Sequence, residues 1–489
     1  MANSSITPVV TATPEFVPPT PTPVPTSTPT PTPAPGVTPE PTPTVPAVRE
    51  PGFSFDTETG ESAVTVAVIY DDVTGGIADG LFADSLAGVQ AWAASVNDQG
   101  GLGGRRVEVT PLDAGIFNHQ LRVDEVCSGE FFAIVGSQSL GDFAGADVLA
   151  NPLCTIADFP AALHSARRAE PPADGLRRVF LPNPVLNEFR QAGPARWLAA
   201  EFPDTIENVA LFQYFGDNPV EEQLRNETSR IREMLQVGAG MTVLDINTDL
   251  EERISERVLT NWESSEAQAL VWTADPGRLI ELLEALDDTD GTRPEWVLCE
   301  LGCFSQDFLA DGGDAVEGVY AALPHAPFDS PTAADEYRLW LSRTAPGRGW
   351  SEIGLQSWMS GQLFEEAFTR MLVIEPELPT RATLIEAART IDSFSAGGIL
   401  PGVTNPAAGL QTNCFWLVVV RNGQWVQAQP DDPLGLDCGR DNLFRLESTR
   451  FLGLEAELET SSTTSDESTA DEDIDDFDPD IEDEFSDEN

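Results

Sequence analysis

Polar and aromatic residues able to bind a small molecule follow several predicted strands, at the point where each strand ends. The candidates are Tyr70, Asp71, Thr74, Ser137, Gln138, Ser139, Ala161 and Ala162 in the first half of the chain, and Tyr214, Phe215, Trp272, Thr273 and Glu300 in the second. Hydroxyl, amide and carboxylate groups fix the polar ends of a ligand, and aromatic rings pack against its apolar parts. For Tyr214 and Trp272, a place in the hydrophobic core is an equal alternative. The set indicates non-covalent binding.

Catalytic chemistry has weaker support in the sequence. No nucleophile elbow, phosphate loop, metal-binding helix or dinucleotide fingerprint stands in a suitable context, since the glycine-rich residues 100–104 lack a preceding strand. The three histidines lie in separate segments: His119 and His325 read as surface residues, and His164 follows a predicted strand at the cleft side. We therefore predict no enzyme, no metal and no cofactor. An amide or ester hydrolase is the weakest alternative.

A strand, a helix and a second strand follow one another between residues 64 and 110. Residues 64–70 form a β-branched, nearly continuous apolar run, which is typical of a parallel strand buried on both faces. Apolar residues then recur at helical spacing up to Val96, and residues 106–110 read as a strand. Strands at 131–136 and 155–160 continue the pattern, and a second series begins near residue 208. This order predicts an α/β protein whose binding crevice lies beyond the carboxyl ends of its parallel strands.

The turn between the first helix and the second strand is the most specific motif. Residues 97–105 read Asn-x-x-Gly-Gly-x-x-Gly-Arg, after a strand that is followed by Thr74 and Gly75. With the later order of segments, this resembles the type I periplasmic solute-binding proteins of ABC transporters, in the branched-chain amino-acid-binding family. The resemblance covers residues 62–450.

The resemblance implies a two-lobed Venus flytrap, in which each lobe is a parallel sheet flanked by helices. Lobe 1 would comprise residues 62–182 and 320–395, and lobe 2 residues 183–319 and 396–450. Glu300 would stand where amino-acid-binding members hold the carboxylate that meets the ligand's ammonium group. The first-lobe hydroxyls that hold a ligand carboxylate would fall near Leu140 and Leu163, which cannot donate a hydrogen bond. A cationic, amide or mainly apolar ligand is therefore equally open.

Six cysteines in an extracytoplasmic protein indicate disulfides. Cys127 and Cys154 end neighbouring predicted helices, and we expect them to pair. Cys414 and Cys438 bracket a hairpin with an Asn-Gly turn, and we expect a second pair there. Cys299 and Cys303 remain as local neighbours. A zinc site is the competing interpretation, but the spacings give no Cys/His quartet.

The two ends of the 489-residue chain differ from its body. Residues 1–61 are rich in Pro and Thr and predict an extended, disordered stalk, and residues 451–489 predict a disordered acidic tail. The net charge of −54 argues against nucleic acid as a partner. Because the start lacks a signal peptide, we expect an export signal or lipid-bearing cysteine upstream of Met1.

These features predict a monomeric, extracytoplasmic solute-binding protein. It would capture an amino acid, amide or related polar solute between its lobes and deliver the solute to an ABC permease. A sensory or scaffold protein with the same fold and no transport role is the alternative.

Overall fold

The computed structural model describes residues 51–55, 62–72, 80, 82–163, 177–184, 188–214, 218–248, 254, 256–289, 291–328, 334–376, 379–430 and 436–447. The chain divides into two units, Met1–Val48 and Arg49–Asn489, and the described residues all belong to the second. The predicted acidic tail, and the predicted stalk apart from residues 51–55, lie outside the described residues.

The described residues form the following strands and helices. The strands are β1 Phe53–Phe55, β2 Ser62–Tyr70, β3 Arg106–Asp113, β4 Ala133–Val135, β5 Ala157–Phe159, β6 Phe189–Gln191, β7 Val209–Tyr214, β8 Val243–Thr248, β9 Ala269–Trp272, β10 Trp296–Cys299, β11 Val319–Leu323, β12 Trp416–Arg421, β13 Gln424–Gln429 and β14 Leu443–Arg445. The helices are α1 Ala83–Asp98, α2 His119–Ser128, α3 Ala146–Ala150, α4 Gly193–Glu201, α5 Pro219–Glu233, α6 Glu256–Ser265, α7 Pro276–Asp288, α8 Gln306–Gly312, α9 Ala334–Thr344, α10 Glu352–Ile374 and α11 Arg381–Ala388.

Two sheets organise the chain, as the alternation of strands and helices predicts. In the first, β2 pairs in parallel with β3 and β4, β4 pairs in parallel with β5, and β1 adds an antiparallel strand. In the second, the order is β13-β12-β11-β10-β9-β7-β8, with the hairpin β12–β13 antiparallel at one edge. The Asn-Gly turn is confirmed, since Asn422 and Gly423 both have positive φ.

The structure differs from the sequence-based boundaries in three places. β11 belongs to the second sheet, so the chain returns to the first lobe after Leu323 and not at residue 320. β1 lies within the segment assigned to the stalk. β6 and β14 form a separate two-stranded sheet, because the helix predicted from Gln191 begins only at Gly193. The spacing of apolar residues does not distinguish a short strand from the first turn of the helix that follows it.

The glycine-rich turn after α1 sets the register of β3. The Asn97 side chain both donates to the carbonyl oxygen of Val107 and accepts from its N–H, at 2.9 and 2.8 Å. Gly101 has φ of 77°, and a Cβ there would lie 2.2 Å from the carbonyl oxygen of Arg105. Only glycine fits this position, which explains why the motif carries structural information.

Helix α10 lies against both the first sheet and α1. A Cβ on Gly88 of α1 would lie 2.1 Å from the carbonyl oxygen of Gly354, so the two helices meet in backbone contact. The hydroxyls of Ser357 and Ser360 donate to the carbonyl oxygens of Gly136 and Pro160, just beyond β4 and β5. α10 is thereby fixed at the carboxyl edge of the first sheet, with its first turn directed to the second lobe.

An aromatic seam joins the two lobes. Trp425 of β13 packs against Phe304, with ring centroids 5.4 Å apart, and Phe304 stacks on Phe328 at 5.4 Å. Phe328 in turn contacts Tyr337 of α9, at 6.0 Å. All four rings are buried, and the contacts continue one hydrophobic core from the second sheet to the helices of the first lobe. Burial of large aromatic rings of this kind stabilises the junction between the lobes.

The three cysteine pairs are as predicted. Disulfides join Cys127 with Cys154, Cys299 with Cys303, and Cys414 with Cys438. The described residues contain neither a free cysteine nor a group of three side chains placed to hold a metal ion. In the same part of the chain, each helix is too short or too polar to cross a bilayer.

Asp71 ties together three loops of the first lobe. The fully buried carboxylate accepts hydrogen bonds from the N–H groups of Ile116 and Leu140 and from the hydroxyl of Ser139, at 2.8 to 2.9 Å. Burial nevertheless raises the pKa of Asp71 to about 6. The residue therefore orders the loops after β2, β3 and β4.

We expect Asp71→Ala to lower the free energy of unfolding by about 3 kcal/mol, because three buried donors would each lose an acceptor at a cost of about 1 kcal/mol or more. Urea unfolding measures the change. Asp72→Ala, at the exposed neighbouring position, is the matched control and should stay within about 0.5 kcal/mol of the unmodified protein. Equal losses in the two variants would contradict this role.

Candidate ligand-binding cleft

A cavity of about 260 Å³ lies between the two lobes. Ala161 and Ala162 after β5 and Met359 of α10 line it from the first lobe, and Leu298 and Ala322 line it from the second sheet. A neighbouring cavity of about 200 Å³ shares six lining residues with it. These are Ala162, Arg190, Ile231, Glu300, Glu352 and Gln356. The two cavities therefore form one continuous cleft, of a size that suits a small solute.

Glu300 enters the cleft directly after β10. Its N–H donates to the carbonyl oxygen of Trp272 at 2.9 Å, which continues the strand pairing by one residue. The Cys299–Cys303 disulfide closes the loop behind it. The Glu300 side chain is exposed within the cleft and lines both cavities. Removal from bulk water raises the pKa of this carboxyl, and the nearby guanidinium of Arg190 opposes that rise.

Glu352 faces the same cleft from the first turn of α10. Ser351 caps the helix by accepting a hydrogen bond from the N–H of Gly354, and the N–H of Glu352 donates to the carbonyl oxygen of Phe304. One turn later, the amide nitrogen of Gln356 donates to Glu352 Oε1 at 2.8 Å. The two carboxyl groups thus reach one cleft from opposite lobes.

The pKa of Glu352 is raised to about 8 by burial and, secondly, by the negative charge of Glu300, while the hydrogen bond from Gln356 lowers it. Two carboxylates that share a desolvated site cannot both be charged without a cation between them. Burial and the neighbouring charge of Glu300 therefore both favour a proton on Glu352 near neutral pH.

His325 lies behind Glu352 and is fully buried against Phe304 and Phe328. Its Nδ1 contacts the carbonyl oxygen of Ala326 at 3.0 Å, so this nitrogen carries the proton and Nε2 is an acceptor. Nε2 lies 4.0 Å from Glu352 Oε1 and has no hydrogen-bond partner. Burial lowers the pKa of His325 to about 4, which keeps the ring neutral.

Arg190 supplies the positive charge of the cleft, and it is already paired. Its guanidinium bonds the carboxylate of Glu227 on α5, and Arg230 bonds the same carboxylate at 3.1 Å. The Nε of Arg190 is buried at the cleft without a hydrogen-bond partner.

The structure brings some of the sequence-predicted residues together and not others. Gln138, Ala161, Ala162, Thr273 and Glu300 line the cleft. Ser137 and Ser139 are fully buried. The hydroxyl of Ser137 accepts a hydrogen bond from the N–H of Ile69, and the hydroxyl of Ser139 donates to the carboxylate of Asp71.

Tyr70 is buried and Trp272 is a core aromatic whose ring lies 4.0 Å from that of Phe212; neither lines the cleft. Tyr214 ends β7, and nothing is described of its side chain. Thr74, Phe215 and His164 lie outside the described residues.

Sequence reasoning missed Glu352, Gln356 and Arg190. A helix start after Ser351 could have been found from its N-cap signal, which places a glutamate in the first turn. The prediction of His119 and His325 as surface residues is wrong, because both side chains are fully buried. A lone histidine between apolar residues fits a core position as well as a loop.

We expect the pH dependence of stability to report the proton on Glu352. Its pKa in the folded protein lies above the ordinary 4.5, so the folded state binds more protons than the unfolded state between pH 4.5 and about 8. The free energy of unfolding contributed by this group is thus present below pH 4.5 and is lost as the pH rises towards 8. Glu352→Gln, which cannot ionise, should gain stability relative to the unmodified protein across this window, on the order of a few kcal/mol.

Urea unfolding at several pH values measures this difference. Glu366→Gln is the matched control, since Glu366 lies on the outer face of α10 in an ion pair with Arg370. A stability difference for Glu352→Gln that does not change with pH would show that Glu352 is ionised throughout.

Comparison with known proteins supports the same architecture. Residues 218–424 match the family model described as periplasmic binding protein. No curated protein matches the chain by sequence.

Solved structures match over most of the chain. A fatty acid ABC transporter substrate-binding protein from Thermomonospora curvata has a TM-score of 0.62 and 14% identity, over 81% of this chain and 95% of that chain. A branched chain amino acid ABC transporter from Thermus thermophilus with bound valine has a TM-score of 0.61 and 15% identity, over 78% and 98%. A solute binding protein of an ABC transporter from R. palustris, in complex with benzoate, has a TM-score of 0.57 and 15% identity, over 76% and 96%. The chain has the type I periplasmic-binding-protein fold, and the predicted resemblance to the type I solute-binding proteins of ABC transporters is confirmed.

Proposed function

We propose that this protein captures a small solute in the cleft between its lobes and delivers it to an ABC permease. The observation that carries the proposal is the cleft itself, in which Glu300 from one lobe and Glu352 and Gln356 from the other meet around one cavity. A solute that touches both lobes stabilises the closed form over the open form. The closed form is the state that a permease can distinguish from the empty protein.

The similar structures support the proposed class of function, which is solute binding for transport. They do not identify the solute of this protein. They include a fatty acid ABC transporter substrate-binding protein, a protein with bound valine and a protein with bound benzoate, so one fold serves chemically different solutes. Specificity therefore depends on the side chains of each cleft. The three disulfides are consistent with the extracytoplasmic location of this class of protein, because disulfides persist in oxidising compartments. We propose that the protein acts as a monomer at the cell surface or in the periplasm, with a lipid anchor as one means of attachment.

Native mass spectrometry of the freshly purified full chain tests solute capture. We expect a retained small molecule with the unmodified protein and none with Ala162→Trp, because an indole at this position fills the space shared by both cavities. Ala94→Trp is the matched control: Ala94 is half-buried on α1, outside the cleft, and that variant should keep the solute. Any retained solute should also raise the unfolding temperature of the unmodified protein in a concentration-dependent manner.

Retention of the same molecule by Ala162→Trp would place the binding elsewhere. Absence of any solute, together with no rise in the unfolding temperature in the presence of a metabolite extract, would contradict solute capture and favour the scaffold alternative.

A further inference from the structure

Three amide oxygens at the cleft lack donors, and one lining donor, Arg190 Nε, lacks an acceptor. Asn183 Oδ1, Gln191 Oε1 and Gln356 Oε1 are buried at the cavity wall without a hydrogen-bond partner, and so is His325 Nε2 behind Glu352. The amide orientations follow from the partners of the nitrogens: Gln191 Nε2 donates to the carbonyl oxygen of Cys414 at 3.2 Å and Gln356 Nε2 to Glu352. Unpaired buried acceptors are costly, so they indicate a ligand that brings donors.

Hydroxyl donors are already in use. The cleft-lining residues that carry a hydroxyl are Thr228, Thr273 and Thr412, and each donates to a backbone carbonyl oxygen, of Leu224, Phe212 and Pro401 respectively. On the first lobe, Ser137 accepts from the N–H of Ile69 and Ser139 donates to the carboxylate of Asp71, and neither serine lines the cleft. A ligand carboxylate would thus find no free hydroxyl among the lining residues that the structure describes.

The charged groups of the cleft also favour a cationic ligand. Arg190 is the lining cation; its Nη2 pairs with the carboxylate of Glu227, which Arg230 also contacts, and its Nε has no partner. On the opposite side, burial and the charge of Glu300 both raise the pKa of Glu352, so a proton on Glu352 is favoured near neutral pH. A bound cation can replace that proton and leave both carboxylates charged.

We propose that the solute is a short organic amine without a carboxylate, whose ammonium group binds between Glu300 and Glu352. This inference rests on the proposed function and assigns its ligand class. The ammonium has three N–H donors, and Glu300, Glu352 and Gln356 Oε1 offer the matching acceptors. The apolar chain packs along Ile231, Met234, Leu298 and Met359. At the far end, Gln191 Oε1 accepts from a second donor group.

The displaced proton leaves Glu352 for the solvent, so binding is coupled to proton release. The groups that face this site from the surrounding elements are Glu300, Arg190, Glu227, Arg230 and His325. Burial keeps His325 neutral near neutral pH, and the raised pKa of Glu352 makes this carboxyl the group that loses the proton. Amine affinity should rise with pH from about 6 to 8 as the competing proton is lost.

Isothermal titration calorimetry tests the proposal with five compounds of similar size: pentylamine, cadaverine, pentanamide, pentanoate and leucine. We expect the two amines to bind roughly 10-fold to 100-fold more tightly than the other three. Pentanamide and pentanoate have no ammonium group, and the carboxylate of leucine would meet no free hydroxyl donor among the described lining residues. Titrations of pentylamine in phosphate and in Tris at pH 7 should show the release of about one proton per bound amine.

Variants separate the roles of the two carboxyls. Glu300→Gln should weaken binding of pentylamine by roughly 10-fold or more. Glu352→Gln should abolish both the proton release and the pH dependence, and Glu366→Gln should change neither. Both cleft substitutions are isosteric, so the variants are expected to fold, and the unfolding temperature checks this.

Tighter binding of pentanamide, pentanoate or leucine, lost in Ala162→Trp, would overturn the amine proposal and leave solute capture intact. Amine binding without proton release would also overturn it. If none of the five compounds binds, the amine proposal fails, and the retained-solute measurement then decides separately whether the cleft captures a solute.

Discussion

Two carboxyl groups from opposite lobes face one desolvated cleft, and this constraint connects the fold to the function. Glu300 follows β10 and Glu352 begins α10, so neither can move away without displacing a sheet edge or a long helix. Repulsion between two charged carboxylates would favour the open protein. A proton or a bound cation between them removes the repulsion, and the cleft can therefore close around a solute that provides the missing charge.

The remaining structure holds these two groups in position. Backbone contact between Gly88 and Gly354 and the hydroxyls of Ser357 and Ser360 fix α10 to the first lobe. The aromatic seam from Trp425 to Tyr337 supplies an apolar connection next to the cleft, where small rotations of one lobe can occur about a packed core. Rigid lobes that rotate about a packed junction are one of the ways in which domains close on a ligand.

Much of the fold could be predicted from the sequence because its signals are local. Strand β2 is a continuous apolar run, α1 has a clear periodicity, and Asn97 with Gly101 marks the turn between α1 and β3. The Cys127–Cys154 pair follows from two neighbouring helix ends. β1, β6 and β14 were missed, since strands of three residues have too little pattern to be told from loops.

The cleft was only partly predictable, for a related reason. Glu300 was identified because it follows a buried strand, and strand ends are readable in the sequence. Glu352, Gln356 and Arg190 depend on where a helix and a short strand pack in three dimensions, which local pattern does not encode. Conversely, Ser137 and Ser139 have the right chemistry and the right place in the chain, yet their hydroxyls are turned inward to Ile69 and Asp71.

A crystal structure of the protein as purified, with the solute that it retains, tests the central claim most directly. The account predicts solute density in the cleft that contacts Glu300 from one lobe and Glu352 from the other, with the lobes closed around it. Solute bound outside this cleft, or a closed cleft filled by the protein's own side chains, would contradict it.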